Sequence, residues 1–198
     1  MLHANNTNPV KQSDDMGTLD EIAEVAKYQA GYVATYQLEV SRQMFSHHET
    51  KGRLERVIPG IYRSAAFPIS EQEEHIVAYL WSREKGVISH QTALSLHDLS
   101  DILPKATDIT VPDDEALPPQ EPPPRTRVHR GRIPEEDRQW HHIVPITTVA
   151  RTLRDLAVGG IHPDLLRQAL EEARRRHLVD DELEWKIIRD LMTRREER

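Results

Sequence analysis

The chain has 198 residues, of which 37% are hydrophobic and 30% charged, and its 26 basic residues against 33 acidic ones give a net charge of -7. The length accommodates one or two domains, and the absence of cysteine excludes disulfide bonds and thiolate metal sites. The negative total excludes a protein that attracts nucleic acid over its whole surface. No apolar run approaches the roughly 20 residues that span a bilayer, and no signal peptide is evident. We therefore expect a cytoplasmic protein with no membrane partner.

The first 17 residues are polar and predict a disordered leader. Thr18 and Glu21 have the spacing of a capping box, which marks the start of a helix. Leu19, Ile22 and Ala26 then repeat at helical intervals. The pattern predicts a first helix over about residues 19–30.

The prediction of function rests mostly on residues 31–63. Their pattern predicts two short helices, followed by a strand pair that Pro59-Gly60 closes. Ser41 is a good N-cap for the second helix, and Gly52 is a typical end. Met44, Phe45 and His48 share one side of that helix. The other side is polar and consists of Arg42, Gln43, Ser46, His47 and Thr50.

This order of elements is typical of a winged helix-turn-helix, in which one helix enters the major groove of DNA and a hairpin flanks it. Charge supports that interpretation locally, because residues 42–63 hold five basic and two acidic residues, a net of +3. The predicted DNA contacts are Arg42, Gln43, Ser46, His47, Thr50, Lys51, Arg53, Arg56 and Arg63. The alternative is a solvated helix and hairpin whose charges only aid solubility.

We place the DNA-binding domain at residues 18–66 and a mixed α/β domain, with helices packed on a small sheet, at residues 67–198. Ser70 and Glu73 cap a helix that carries Ile76, Val77, Leu80 and Trp81. Strands are expected at residues 108–111, 127–130 and 142–144, and further helices from about residues 89, 148, 164 and 181. Residues 112–124 contain six prolines and four acidic residues, which predicts an exposed loop.

Five segments of the chain together resemble the AbiEi family, the antitoxins of type IV toxin–antitoxin (abortive infection) systems. The segments are VSRQMFSHHETKGRLERVIPGIYR, FP, GVISHQTALSLHDLSDILP, ITVP and PITTVARTLRDLA. The resemblance implies an N-terminal winged helix-turn-helix that binds inverted repeats at the protein's own promoter and represses it. It also implies that the C-terminal domain counteracts a cognate nucleotidyltransferase toxin, by direct or indirect contact. One departure from the family is a predicted helix between Thr35 and Ser41 that is about one turn short.

Other polar clusters predict no catalytic, metal or cofactor site. His90 and His97 share a helical face, and His141-His142 lie near a strand, but none has recognised metal-ligand spacing. Glu182, Glu184 and Lys186 superficially resemble a nuclease cluster but stand at the start of a helix with no preceding strand. The short remaining length also leaves no room for an added nuclease-like domain. We therefore expect a protein that is not an enzyme.

Two charged clusters have structural interpretations. Arg151 and Asp155 are one helical turn apart and predict an ion pair or an anchor for a neighbouring strand. Glu171-Glu172, followed by three arginines at residues 174–176, predicts a solvated helix face or, alternatively, a partner contact. The sequence leaves one functional alternative open, a stand-alone winged-helix transcriptional regulator without a toxin partner.

Overall fold

The structure, a computed structural model, describes residues 9–182 and 185–189. The chain is mixed α+β with two sheets, and it divides into two compact units, Met1–Leu80 and Trp81–Arg198. We call them the N-terminal unit and the C-terminal unit. Within the described ranges, no helix combines the length and apolar character that crossing a membrane requires.

The N-terminal unit folds around a three-stranded antiparallel sheet of order β1-β3-β2. Its elements are α1 (Pro9–Lys27), β1 (Tyr32–Ala34), a 3-10 turn (Thr35–Gln37), α2 (Arg42–Thr50), β2 (Leu54–Ile58), β3 (Ile61–Ser64) and α3 (Glu73–Trp81). The core joins α1 and α2 to the sheet through Ile22, Ala26, Val33, Phe45, Leu54 and Tyr62. The sheet therefore supports α2 from one side, and the polar side of α2 is left outside the core.

The first helix is longer than predicted at its start and shorter at its end. It begins at Pro9, which suits the first turn of a helix, so the prediction of disorder is wrong for residues 9–17. The remaining leader residues, 1–8, lie outside the described part of the chain. The helix ends at Lys27 because the Gly31 amide donates to the Ala26 carbonyl at 2.7 Å, a hydrogen bond typical of helix ends.

The first of the two predicted short helices is a strand and a single 3-10 turn. Tyr32–Ala34 pair with β3, with Val33 opposite Tyr62, and only Thr35–Gln37 are helical. Three residues are too few for periodicity to distinguish a strand from a helix, and the strand pairing is long-range. The shortened helix that the sequence predicted between Thr35 and Ser41 is thus reduced to one turn.

The N-terminal unit extends past the predicted boundary near residue 66. The Tyr32 hydroxyl donates to Glu73 Oε2 at 2.6 Å, and the Tyr36 hydroxyl donates to the Leu80 carbonyl at 3.1 Å. Burial, and then the bond to Glu73, raise the pKa of Tyr32 to about 12. These bonds tie α3 to the region of β1 across 41 and 44 residues of sequence, a distance over which local patterns carry no signal.

The C-terminal unit packs helices on a five-stranded sheet of order β6-β5-β4-β8-β7. Its elements are β4 (Val87–Ile88), α4 (His90–Leu96), β5 (Thr107–Val111), β6 (Thr126–Arg130), a 3-10 turn (Glu135–Asp137), β7 (Arg138–His141), β8 (Val144–Thr147), α5 (Val149–Gly159) and α6 (Pro163–Arg175). Strands β5 and β6 are parallel, as are β4 and β8. The main apolar cluster includes Leu94, Leu153, Leu156, Leu166 and Ala169.

Most of the predicted elements of this unit are confirmed, with one wrong strand. His142 and Ile143 form the turn of a β7–β8 hairpin rather than a strand, and of the apolar pair Ile143-Val144 only Val144 belongs to β8. Residues 112–123 hold no helix or strand, as expected of the proline-rich loop. Residues 181–182 and 185–189 are helical, while Leu191 of the predicted last helix lies outside the described residues.

Candidate nucleic-acid interface

Helix α2 presents a polar face to solvent. All five side chains predicted on that face, those of Arg42, Gln43, Ser46, His47 and Thr50, are exposed. Phe45 and His48 on the opposite side are 0% exposed. The predicted division of α2 into two sides is confirmed, and we call the exposed set the α2 polar face.

The buried side of α2 is fastened to the sheet. The Phe45 ring packs against Tyr62 of β3 with centroids 5.1 Å apart. The Arg53 amide donates to the His48 carbonyl at 3.0 Å, which joins the end of α2 to the start of β2. At the other end, Ser41 Oγ accepts from the Met44 amide at 3.3 Å and caps the helix. These contacts fix how far α2 projects from the sheet.

The hairpin β2–β3 closes in a two-residue turn at Pro59-Gly60. Ile58 pairs with Ile61 across the turn, and Gly60 has φ +86°, a value that glycine adopts without strain. The Gly60 carbonyl accepts from the Thr35 amide at 2.9 Å, so the tip is anchored to the 3-10 turn. The register shifts between Arg56 and Ile58, which marks a bulge in β2.

Arg56 lies on this hairpin beside the end of α2. Its Nη2 donates to Glu49 Oε2 at 2.6 Å, and its guanidinium lies 5.7 Å from the centroid of the Tyr62 ring. The hydrogen bond to Glu49, and then the charge of Tyr62, raise the pKa of Arg56. Lys51 and Arg53 are exposed in the link between α2 and β2. These three cations and the α2 polar face together form what we call the basic surface.

Arg63 is separate from the basic surface, in contrast to the prediction. Its side chain is 8% exposed, and its guanidinium donates to the Phe67 carbonyl and pairs with Glu55. The reason is that β3 is the central strand of its sheet, and all four of its residues are buried. The prediction rested on the position of Arg63 beside the hairpin, and that position does not reveal that β3 is paired on both sides.

The histidines and charged pairs noted in the C-terminal unit have structural contacts. His97 Nε2 lies 2.7 Å from the Thr147 carbonyl, and burial lowers the pKa of His97. Arg151 Nε donates to Asp155 at 2.7 Å, as predicted, and its Nη1 donates to Asp137 at 3.0 Å, just before β7. Within residues 9–182 and 185–189, no three His, Cys, Asp or Glu side chains are grouped so that they could hold a metal ion.

Two other charged clusters noted in the sequence lie on α6 and at the last helical segment, and only the second includes an undescribed residue. On α6, Arg175 pairs with Glu172 at 2.6 Å, and Arg167 pairs with Asp164 at 3.2 Å. This agrees with a solvated face of paired charges. Glu182 is exposed at the start of the last helical segment, and Glu184 of the nuclease-like cluster lies outside the described residues.

One polar cluster of the C-terminal unit is absent from the predictions. It joins His90, which follows β4, with Asp108 of β5 and His129 of β6. These residues are up to 39 positions apart in sequence, and the parallel pairing of β5 with β6 brings two of them together. No local motif signals such a pairing, so sequence analysis missed the cluster.

Comparison with known proteins adds no relative. No model of a known protein family matches the chain, and no curated protein matches it. The resemblance to the AbiEi family therefore stays a prediction from the sequence motifs.

Proposed function

We propose that the N-terminal unit is a winged helix-turn-helix that binds double-stranded DNA. The observation that carries the proposal is the α2 polar face, five exposed polar side chains on a helix whose other side is held by the core. The order α1, β1, 3-10 turn, α2, β2, β3 supports it. Helices that enter a major groove need such a face, because base edges are recognised by hydrogen-bond donors and acceptors.

The contacts divide into two kinds. Arg42 and Gln43, in the first turn of α2, are placed as recognition helices place their base contacts, and both side chains can form paired hydrogen bonds with a base. Ser46, His47 and Thr50 extend the same face. Lys51, Arg53 and Arg56 are proposed to bind phosphates, which position the protein without specifying sequence. Arg63 leaves the proposed contact set, since its guanidinium is engaged inside the N-terminal unit.

We further propose, from the motif resemblance, that the protein is a type IV antitoxin. In this role it binds inverted repeats at its own promoter as an autorepressor and counteracts a cognate nucleotidyltransferase toxin, by direct or indirect contact. A stand-alone winged-helix transcriptional regulator is the alternative. The two differ in one observable: only an antitoxin restores growth to cells that express a nucleotidyltransferase encoded beside it.

Fluorescence anisotropy with a duplex from the DNA upstream of the gene tests the DNA proposal. We expect Arg42→Ala to weaken binding roughly 5- to 100-fold, the equivalent of about 1–3 kcal/mol for a paired contact to a base. Arg56→Ala should weaken the promoter duplex and an unrelated duplex alike. Arg167→Ala, an exposed arginine of α6, is the matched control and should bind as the unchanged protein does. If neither Arg42→Ala nor Arg56→Ala weakens binding, the proposed surface is wrong.

A further inference from the structure

The C-terminal unit contains a polar pocket that the proposed function does not use. Its cavity has a volume of about 330 Å³ and lies between the start of α4, strands β5 and β6, and the end of α5. The polar side chains that line it are those of His90, Gln91, Asp108, Arg127 and His129. A volume of this size falls at the lower end of the range of pockets that hold small molecules. We call it the histidine pocket.

Strand register brings these side chains together. Strands β5 and β6 are parallel, with Asp108 opposite Arg127 and Thr110 opposite His129. Residues two apart on a strand share a face, so all four side chains point to the same side of the sheet. The Ser89 amide donates to the Asp108 carbonyl at 2.9 Å, and this bond brings the start of α4, with His90, to the same place.

The two imidazole rings are held by hydrogen bonds on one nitrogen each. They stack with centroids 3.7 Å apart and planes 10° from parallel. His90 Nδ1 lies 2.9 Å from Ser89 Oγ, and His129 Nε2 lies 2.8 Å from Asp108 Oδ1. A carboxylate only accepts, so His129 Nε2 carries a proton there. The second nitrogen of each ring, His90 Nε2 and His129 Nδ1, stays available to a ligand.

Asp108 holds two of the other side chains in place at the pocket. Its side chain is 1% exposed, and Oδ1 accepts from both His129 and Arg127. Its other oxygen, Oδ2, is buried and has no hydrogen-bond partner among the described residues. Oδ1 therefore fixes the positions of the His129 ring and the Arg127 guanidinium at the wall of the pocket.

The pocket combines two imidazole rings with two further hydrogen-bond donors. Burial, and then the charge of His129, lower the pKa of His90, and the second nitrogen of each ring donates or accepts according to its tautomer. The further donors are the Arg127 guanidinium, 53% exposed, and the Gln91 amide. A ligand that fits has several hydroxyl groups, which both donate and accept, and an anionic group for the arginine.

We propose that the histidine pocket binds a small phosphorylated polyol. Its hydroxyl groups form hydrogen bonds with the ring nitrogens of His90 and His129, and its phosphate accepts from Arg127. Sugar phosphates and the ribose phosphate of nucleotides share this chemistry. The site is independent of the basic surface, so the proposal stands or fails separately from DNA binding.

Isothermal titration calorimetry of the full chain with ribose 5-phosphate, ribose and inorganic phosphate tests the proposal. We expect ribose 5-phosphate to bind at least tenfold more tightly than either fragment, because only it contacts the histidine rings and Arg127 at once. Arg127→Gln should weaken ribose 5-phosphate at least tenfold and leave ribose unchanged. Arg132→Gln, an exposed arginine two residues beyond β6, is the matched control and should change nothing.

A second measurement uses the unchanged protein, so its result does not depend on whether the variants fold. Ring ¹⁵N chemical shifts of the unchanged protein should move for His90 and His129 when ribose 5-phosphate is added, and those of the exposed His142 in the β7–β8 turn should not. Tighter binding of adenosine monophosphate than of ribose 5-phosphate would identify the source as a nucleotide, and the reverse a sugar phosphate. Absence of saturable binding at millimolar ribose 5-phosphate, or equal binding of inorganic phosphate alone, would overturn the proposal.

Discussion

Helices α2 and α6 both expose charged side chains, but the net charge around them differs. On α6, three basic and three acidic residues cancel over Pro163–Arg175, and Arg167 and Arg175 pair with acids on the same helix. Helix α2 itself carries Arg42 and Glu49, but together with the hairpin that follows it, residues 42–63 retain a net of +3. Under the proposed function, charge balance rather than exposure distinguishes a DNA-binding surface from a solvated face.

Net charge matters because it determines how strongly each surface attracts the phosphates of DNA. Exposed pairs of the α6 type contribute little to stability, and their opposite charges leave little field to attract phosphate. A surplus of cations displaces the counterions that surround DNA, which drives binding and makes it depend on salt.

The largest expected effect comes from the buried side of α2. Phe45→Ala removes a fully buried ring that packs on Tyr62, and we expect it to destabilise the N-terminal unit by about 3–5 kcal/mol and to abolish DNA binding. Leu166→Ala, in the buried side of α6, should cost about 2–5 kcal/mol in the C-terminal unit. Urea denaturation measures both. If a folded Leu166→Ala variant lost DNA binding and Phe45→Ala kept it, α6 rather than α2 would be the helix that DNA binding requires.

The exposed sides of the two helices give the next effect. Replacing Arg42, Lys51 and Arg53 together by glutamine should weaken a promoter duplex at least about 100-fold, since the substitutions remove a base-reading side chain together with phosphate-binding ones. The matched triple replacement on α6, of Arg167, Arg174 and Arg175, removes the same charge and should change affinity less than about threefold. Anisotropy titrations at one fixed salt concentration compare them. Equal weakening by both triples would mean that total charge, and not the basic surface, governs binding.

Arg63 and Arg56 separate stability from binding within one hairpin. Arg63→Gln breaks buried hydrogen bonds of a charged group and should destabilise the N-terminal unit by about 1–3 kcal/mol, without altering the affinity of the folded protein. Arg56→Gln removes an exposed pair and should leave stability nearly unchanged while weakening DNA binding. Thermal unfolding measures the stability of the two variants, and fluorescence anisotropy measures their affinity for DNA. If Arg63→Gln is as stable as the unchanged protein but binds DNA worse, Arg63 belongs to the interface after all.

The smallest expected effect is a dependence of the stability of the C-terminal unit on pH. Burial lowers the pKa of His90 and of His97, so the unfolded chain binds more protons between those lowered values and the ordinary value of about 6.5. Stability is therefore full above pH 6.5 and falls as the pH decreases below it. His97→Gln, which can still donate to the Thr147 carbonyl, should flatten the melting temperature against pH, and the exposed His142→Gln should not. If the melting temperature of His97→Gln varied with pH as steeply as that of the unchanged protein, the burial of His97 would not be a cause of the pH dependence.

Elements whose signals are local were predictable from the sequence. Helix α2 starts after Ser41 and buries Phe45 and His48, as its cap and periodicity indicate. The mixed α+β class and the helices of the C-terminal unit were predictable for the same reason. Each of these features is specified within about ten residues, where capping and side-chain spacing determine the outcome.

Features that depend on long-range pairing were not predictable. Strand β1 is a strand only because β3 pairs with it, and Arg63 is buried because β3 lies between two neighbours. The histidine pocket requires β5 and β6 to be parallel and in the register that sets Asp108 opposite Arg127. Register between separated strands is fixed by the packing of the whole unit, and single-residue patterns do not encode it.

The salt dependence of duplex binding tests the central claim most directly. The dissociation constant of the unchanged protein for the promoter duplex should be measured between low and moderate salt, and so should that of the variant lacking Arg42, Lys51 and Arg53. We predict that affinity falls steeply with salt for the unchanged protein. The slope should be smaller by about 2 in the variant, because the variant loses the two phosphate contacts of Lys51 and Arg53 and each phosphate that the protein neutralises adds about 0.9 to the slope. Identical slopes for the two proteins, or no binding by the unchanged protein at low salt, would contradict the account.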